Sequence, residues 1–376
     1  LRTYLLIAVT VFAFSLSACV ETGGTANVQS VRPSRQEDAP IPERKVAEVK
    51  VNEFKCRPSP AKPPQTLKFK SYYKKSDQQR AEVNKKAHKK YRSQTESLRK
   101  FENELIMMSN GYLRSGREND AIAQCALGWL HEWAAGDAYL GKSNTQGEFI
   151  RQWGLAVVSS AYGQIKSSPA LDKQQEKEVE AWLLKVAQEV MKDYSGSATS
   201  SVRFQNNHLY WAAWAVTATA LALDDAALYR WGVGKAKYAI LTQIREDGTL
   251  PLEMGRGKKA LHYHVFALTP LVLIAETAAR SGEDLYELRD GILRKAAQRV
   301  FEGIKDPSTF AQQAETAQEP VSQMSSEHFA WLEVYNSRFH DPAIEAWLKN
   351  SGPVFSRRAG GDVKFLYRSV TWENQG

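Results

Sequence analysis

The sequence predicts an all-α protein, an incomplete α/α toroid assembled from antiparallel helical hairpins. Three observations lead there. From residue 76 to about 348, apolar residues recur at spacings of three and four, broken by Gly, Pro, Asn and Asp clusters, which is the pattern of one helix after another. The breaks are short, and short links force consecutive helices to lie antiparallel. No fixed period of roughly 30 to 45 residues runs through the chain, which argues against an open solenoid and leaves a ring with a groove at one end.

Taken in order, residues 120–135 place Ile122, Leu127, Trp129, Leu130 and Trp133 at helical spacing, and 147–166 do the same with Phe149, Trp153, Leu155, Val157, Val158 and Tyr162. The segment 173–193 opens on Asp172 and buries Val179, Trp182, Leu183, Val186 and Val190 while turning Lys and Glu outward. Further helices are expected over 208–223, 225–244, 263–281, 286–304 and 325–338. Only the tail, 360–372, alternates like a strand, with Val363, Phe365 and Tyr367 on one side. The toroid is thus expected over 66–376, after an irregular, Pro-rich linker at 20–65.

The opening residues read as an export signal: Arg2, an apolar run over 4–16, then Ser17 and Ala18 before Cys19. The order Leu16-Ser17-Ala18-Cys19 also resembles a bacterial lipobox, so the expectation is a periplasmic protein, either cleaved or lipid-anchored at Cys19 as an outer-membrane lipoprotein. No later stretch reaches the ~18 to 20 uninterrupted apolar residues of a membrane span. Setting Cys19 aside leaves Cys56 and Cys125, either a disulfide closing a loop of about 70 residues, stabilising by roughly 4 kcal/mol, or two free thiols. With 376 residues, 43% of them hydrophobic, the chain can bury a sizeable core, and its formal charge of +8 favours a polyanionic partner.

Three motifs mislead. Gly136-Asp137-Ala138-Tyr139-Leu140-Gly141-Lys142-Ser143 fits the phosphate-loop pattern, but a helix precedes it where a buried strand is required, so no nucleotide is expected. Gly255-Arg256-Gly257-Lys258-Lys259-Ala260 imitates a dinucleotide fingerprint without a βαβ unit around it. His131-Glu132 lacks the second histidine of a zinc helix, and no metal or other cofactor is implied. Neither is a nucleic-acid partner.

Two clusters, each at the start of a helix, can do chemistry. In Gln205-Asn206-Asn207-His208, amides and backbone N–H groups at a helix N-terminus face an anion, and an imidazole stands just inside. In the run from Glu253 to His264, Arg256 precedes Tyr263, which His262 and His264 flank. Amide, imidazole, guanidinium and phenol together suit β-elimination on a uronate. The proton next to a sugar carboxylate becomes removable only when that charge is neutralised and the enolate-like intermediate is held, the work expected of Asn207 and Arg256. In mannuronate the proton and the leaving oxygen share one face of the ring, so one group, Tyr263, can act as base and then acid, with its pKa expected to be lowered by Arg256. His208 is expected to neutralise the carboxylate or to act as the base on guluronate.

Asn206-Asn207-His208 with the following Tyr210-Trp211-Ala212-Ala213-Trp214, the run Leu250-Pro251-Leu252-Glu253, and Ala260-Leu261-His262-Tyr263 resemble the mannuronate-specific alginate lyases of polysaccharide lyase family 5. The likeness extends upstream through Arg92-Ser93-Gln94, Arg114-Ser115-Gly116 and Cys125-Ala126-Leu127, over roughly 56–350. The resemblance implies a periplasmic, metal-independent enzyme acting on an anionic polysaccharide, an α/α toroid, and a mobile lid near 70–85. It makes Asn207, His208, Arg256 and Tyr263 the catalytic set and Trp211 a sugar-stacking residue, with Tyr73, Trp153, Asn206 and His262 as further substrate contacts. Glu327, His328 and Trp331 are additional candidates for the cleft wall. Where the family has a basic residue before the lid tyrosine, this chain has Tyr72, with Lys70 and Lys74 as nearby cations. Three other readings stay open: a lyase for another polyuronate such as glucuronan, a hydrolase built on Glu253 and a second acid, and a non-catalytic exopolysaccharide-binding or secretion protein.

Overall fold

The computed structural model describes residues 54–196 and 201–367. The export signal, Cys19, most of the linker and the end of the expected tail strand lie outside the described residues. Fourteen α-helical segments follow in chain order: α1 Lys85–Gln94, α2 Glu96–Arg114, α3 Asp120–Ala135, α4 Thr145–Ile165, α5 Lys173–Asp193, α6 Asn207–Leu223, α7 Ala226–Gln243, α8 Pro251–Met254, α9 Ala260–Arg280, α10 Ile292–Lys305, α11 Ser308–Ala311, α12 Ala330–Phe339, α13 Pro342–Ser351 and α14 Val363–Leu366. Side-chain caps start many of them. Asn144 accepts from the Gly147 amide at 3.0 Å, Asp172 from Gln175 at 2.8 Å, and Asn206 from His208 at 3.1 Å.

Packing sorts the helices into two layers. Helices α2, α4, α6, α9 and α12 each pack on the next, forming an inner wall, while α3, α5, α7 and α10 lie outside, each against its inner neighbours. Composition explains the division. Inner helices α6 and α9 are buried on nearly every side and read apolar throughout, whereas α5 and α10 keep one apolar face. Gly257–Arg280 is even long and apolar enough to cross a bilayer, yet most of it is buried within the toroid. Small residues let the layers close up: a Cβ on Gly232 of α7 would sit 2.2 Å from Thr217 Oγ1 of α6.

The tail corrects the strand expected over 360–372. Phe355–Ser356 and Gly361–Asp362 form a two-residue antiparallel pair, β1 and β2, and the chain then turns into α14. Asp362 decides this, because its Oδ1 accepts from the Phe365 amide at 3.1 Å and caps one turn of helix in place of an extended run. The same segment bridges the opening between the two ends of the inner wall. Asn110 Nδ2 of α2 and Gln164 Nε2 of α4 both donate to Gly360 O at 2.8 Å. At Gly361, φ is +119° and a Cβ would lie 2.2 Å from Asn110 Oδ1, so only glycine fits. The bridge carries Arg357 and Arg358 toward the groove.

Cys56 and Cys125 are joined in a disulfide, with Cα atoms 5.6 Å apart. It straps the irregular stretch 54–65 along α3, where Trp129 Nε1 donates to Arg57 O at 2.8 Å and Trp133 Nε1 to Ala61 O at 3.1 Å. The glycine-rich 136–143 loop is a helix connection whose carbonyls point inward: Trp182 Nε1 donates to Ala138 O and Arg151 Nε to Tyr139 O, both at 2.8 Å.

Candidate active site

Asn207 opens α6 beside the buried Glu253 of α8. Both the backbone N–H and Nδ2 of Asn207 donate to Glu253 Oε1, at 2.8 and 2.9 Å. Burial pushes the Glu253 carboxyl up, against the two Asn207 donors. Glu253 therefore orients Asn207 and has no open side from which to reach a sugar. His264 supports this arrangement from behind: its Nδ1 faces Ala260 O at 2.7 Å, and its Nε2 accepts from the Leu250 amide at 2.9 Å, fixing the entry to α8. Of the two imidazoles flanking Tyr263, this one is a strut.

His208 lies flat on Phe149, with ring centroids 3.6 Å apart and planes within 4°, and Trp153 is 6.3 Å away. Burial, then the charges of Arg256, Arg80 and Arg203, push the imidazole down to about 3, so it is neutral at neutral pH. The carboxylate-neutralising role expected of His208 would therefore fall to a neutral ring, through hydrogen bonding. His208 Nδ1 and Asn207 Oδ1 are buried with no hydrogen-bond partner among the described residues.

Arg256 lies over Tyr263, its Cζ 3.6 Å from the ring centroid. The pKa expectation is corrected here. Burial raises the phenol to about 12, outweighing the opposing charge of Arg256. The Tyr263 hydroxyl meets the hydroxyl of Tyr73 at 2.6 Å. Tyr73 belongs to the predicted lid, a hairpin-like loop in which Tyr73 bridges Val83, Lys74 N donates to Glu82 O at 2.9 Å, and Asp77 accepts from the amide of Ala81 at 2.6 Å. The loop packs against the site. Arg256 Nη2 donates to Arg80 O at 3.3 Å, and Lys258 pairs with Glu82 at 2.5 Å. Gly257, at φ +56°, lets Gln79 approach to where a Cβ would be 2.6 Å from its Oε1.

The aromatic wall differs from the expectation. Trp211 is 2% exposed, with Phe266 at 5.0 Å and the Arg358 guanidinium at 5.7 Å, which leaves almost no open stacking face. Trp331 is fully buried core. Trp153 is half-buried, with Arg358 Cζ 4.4 Å from its ring. His262 lies 5.5 Å from the Tyr263 ring and 4.8 Å from His328, and burial followed by the charge of His328 pushes it down to about 3. Glu327 pairs with Arg357 at 3.1 Å; burial would raise its carboxyl, but Arg358 and Arg357 hold it below the usual range. Of the lid cations, Lys74 pairs with Glu82 at 3.6 Å, and Lys259 lies 5.7 Å from the Tyr73 ring. Phe149, Lys259, Phe266 and Arg358 were not foreseen. The adjacent arginines before Ala359-Gly360-Gly361 were the one available hint for Arg358.

The chain has known relatives. A family profile described as alginate lyase matches residues 66–310. An alginate lyase of Pseudomonas syringae pv. syringae strain B728a is 35% identical over 92% of this chain and 90% of its own length, and one of Cobetia marina is 33% identical over 94% and 93%. Among solved structures, alginate lyase A1-III of Sphingomonas species A1 matches with a TM-score of 0.72 at 27% identity, covering 84% of this chain and 87% of its own. A variant of A1-III complexed with tetrasaccharide gives 0.73 at 27% identity, over 86% and 88%. Profile, relatives and toroid agree, and the chain belongs to the alginate lyase family, polysaccharide lyase family 5.

Proposed function

We propose that the chain cleaves mannuronate-rich alginate by β-elimination, with Asn207, His208, Arg256 and Tyr263 as its catalytic set. The observation that carries this reading is the Tyr263 phenol lying under Arg256, with Asn207 held by Glu253 three residues from that arginine. A uronate entering the site exchanges the Tyr73 hydroxyl for its own ring hydrogen at Tyr263. Its carboxylate meets the Asn207 amide, the neutral His208 and the Arg256 guanidinium, which together hold the developing enolate. The Tyr263 phenolate takes the C5 proton, the C4–O bond breaks, a C4–C5 double bond forms, and the phenol returns its proton to the departing glycosidic oxygen. One residue performs both transfers, which requires proton and leaving group on one face, as in mannuronate. Glu253, buried and bonded to Asn207, is unsuited to the hydrolase alternative.

The test is a panel of polymannuronate, polyguluronate and glucuronan followed by ultraviolet absorbance of the unsaturated product. The account expects the fastest rise with polymannuronate; a preference for either other polymer removes the specificity claim, and reducing ends without absorbance indicate hydrolysis. We propose further that the chain is exported to the periplasm, on the support of its apolar N-terminal run and of the Cys56–Cys125 bond, which suits an oxidising compartment. Fractionation of the source cells, with mass analysis of the mature N-terminus for acylated Cys19, tests that.

A further inference from the structure

Helix α1 breaks several rules of helix stability together. It has no buried residue, and its ten residues, KKAHKKYRSQ, include four lysines, an arginine and a histidine but no acid. Lys85 and Lys86 occupy its first turn, where the helix dipole favours acidic residues and disfavours cations. Lys85, Lys89 and Arg92 have no carboxylate within ion-pair distance among the described residues, and Arg99 of α2 donates to Arg92 O at 3.0 Å and feels only the charge of Glu96 among acids. Local choices that cost stability in concert mark functional surface.

These side chains line one groove. Lys85, His88, Lys89, Arg92, Glu96 and Arg99 border a cleft of 560 Å³, at helical spacings that keep them on one face from α1 onto α2, a stripe of roughly 20 Å at 1.5 Å per residue. Glu96 is the single acid against four permanent cations. Burial, then the charge of Arg92, lowers the pKa of Arg99, as expected where positive groups crowd one another. The stripe also abuts the lid: the His88 ring is 5.0 Å from Tyr72, Tyr72 is 4.6 Å from Tyr73, and Tyr73 touches Tyr263.

We propose that this stripe is an extended binding track for distal uronate units of the substrate chain, running from the lid away from the point of cleavage. The inference rests on the reading of the site as a polyuronate lyase and adds where the rest of the polymer lies. A uronate polymer carries a carboxylate on every sugar, so a row of fixed, unpaired cations gains from a long chain and little from a short one. Holding the chain well beyond the reacting bond favours internal cuts.

The double substitution Lys85→Gln and Lys89→Gln tests it, since both residues are exposed and outside the catalytic set. The expected result is a KM for long polymannuronate raised about tenfold at low salt, with kcat unchanged, tetramannuronate turnover unaffected, and a shallower salt dependence. An unchanged polymer KM, or equal losses on polymer and tetramer, overturns the track. Equilibrium binding of long polymannuronate, measured with and without the two lysines in the Tyr263→Phe background, separates the track from the chemistry. Affinity lost with the lysines in a protein whose wild type yields no unsaturated ends removes the lyase reading and keeps the track; equal affinity removes the track whatever the reaction.

Discussion

The hydroxyls of Tyr73 and Tyr263 meet at 2.6 Å, and this bond joins the 70–85 loop to the proposed base. It also counts among the influences that lower the Tyr263 pKa against the dominant effect of burial. Tyr73→Phe is therefore expected to reduce kcat/KM about tenfold and to move the alkaline rise in rate to higher pH. A pH–rate profile checks this; a lower rate with an unmoved profile would show the bond acting on lid closure alone.

With the Tyr263 phenol at about 12, phenolate is scarce at neutral pH and the rate should climb steadily with alkalinity. Arg256→Lys removes the flat guanidinium from the ring and should cost about 100-fold in kcat. Steady-state kinetics over the alkaline range read both effects, and a flat pH profile would count against Tyr263 as the base.

Glu253 separates positioning from acid chemistry. Glu253→Gln keeps an acceptor for Asn207 and should retain most turnover, whereas Glu253→Ala orphans two buried donors, costing about 2 kcal/mol of stability and most activity. Loss of all activity in Glu253→Gln, with unfolding unchanged, would instead support a direct chemical role.

Three imidazoles, His264 buried and His208 and His262 half-buried, tie stability to pH. His264 is pushed down to about 4, chiefly by burial, and His208 and His262 to about 3, whereas an unfolded histidine titrates near ~6.5. Within that window the unfolded chain binds more protons, so stability must fall as pH drops through it. Urea unfolding at a series of pH values should show this slope, and His264→Gln, which keeps an acceptor for the Leu250 amide, should flatten it. An unchanged slope in the variant would exclude His264 as a contributor.

Reduction of Cys56–Cys125, which closes a separation of 69 residues, should lower stability by about 4 kcal/mol with the active site intact. Thermal unfolding with and without reductant measures it.

Much of the fold was legible because single residues marked its boundaries. Asp172 capped α5, and the expected 173–193 matches Lys173–Asp193. The helix expected over 286–304 begins only at Ile292, because Arg289, Asp290 and Gly291 take left-handed backbone that ends the preceding turn. Helix α1 left no apolar rhythm to read, since it fully buries no residue and only Tyr91 packs partly against the core. At the site, two motifs singled out Asn207, His208, Arg256 and Tyr263, but the bonds from Asn207 to Glu253 join residues 46 positions apart and were not legible. The contact of Tyr73 with Tyr263 spans 190 residues, and Arg358 arrives on a bridge whose course depends on Gly361 and Asn110. The Tyr263 pKa misled because charge is visible in a sequence and burial is not.

The most direct measurement is ultraviolet absorbance during incubation of Tyr263→Phe with polymannuronate, alongside calorimetric binding of an oligomannuronate. The account predicts that unsaturated product vanishes while the oligomer still binds. Turnover close to that of the unsubstituted protein would contradict it.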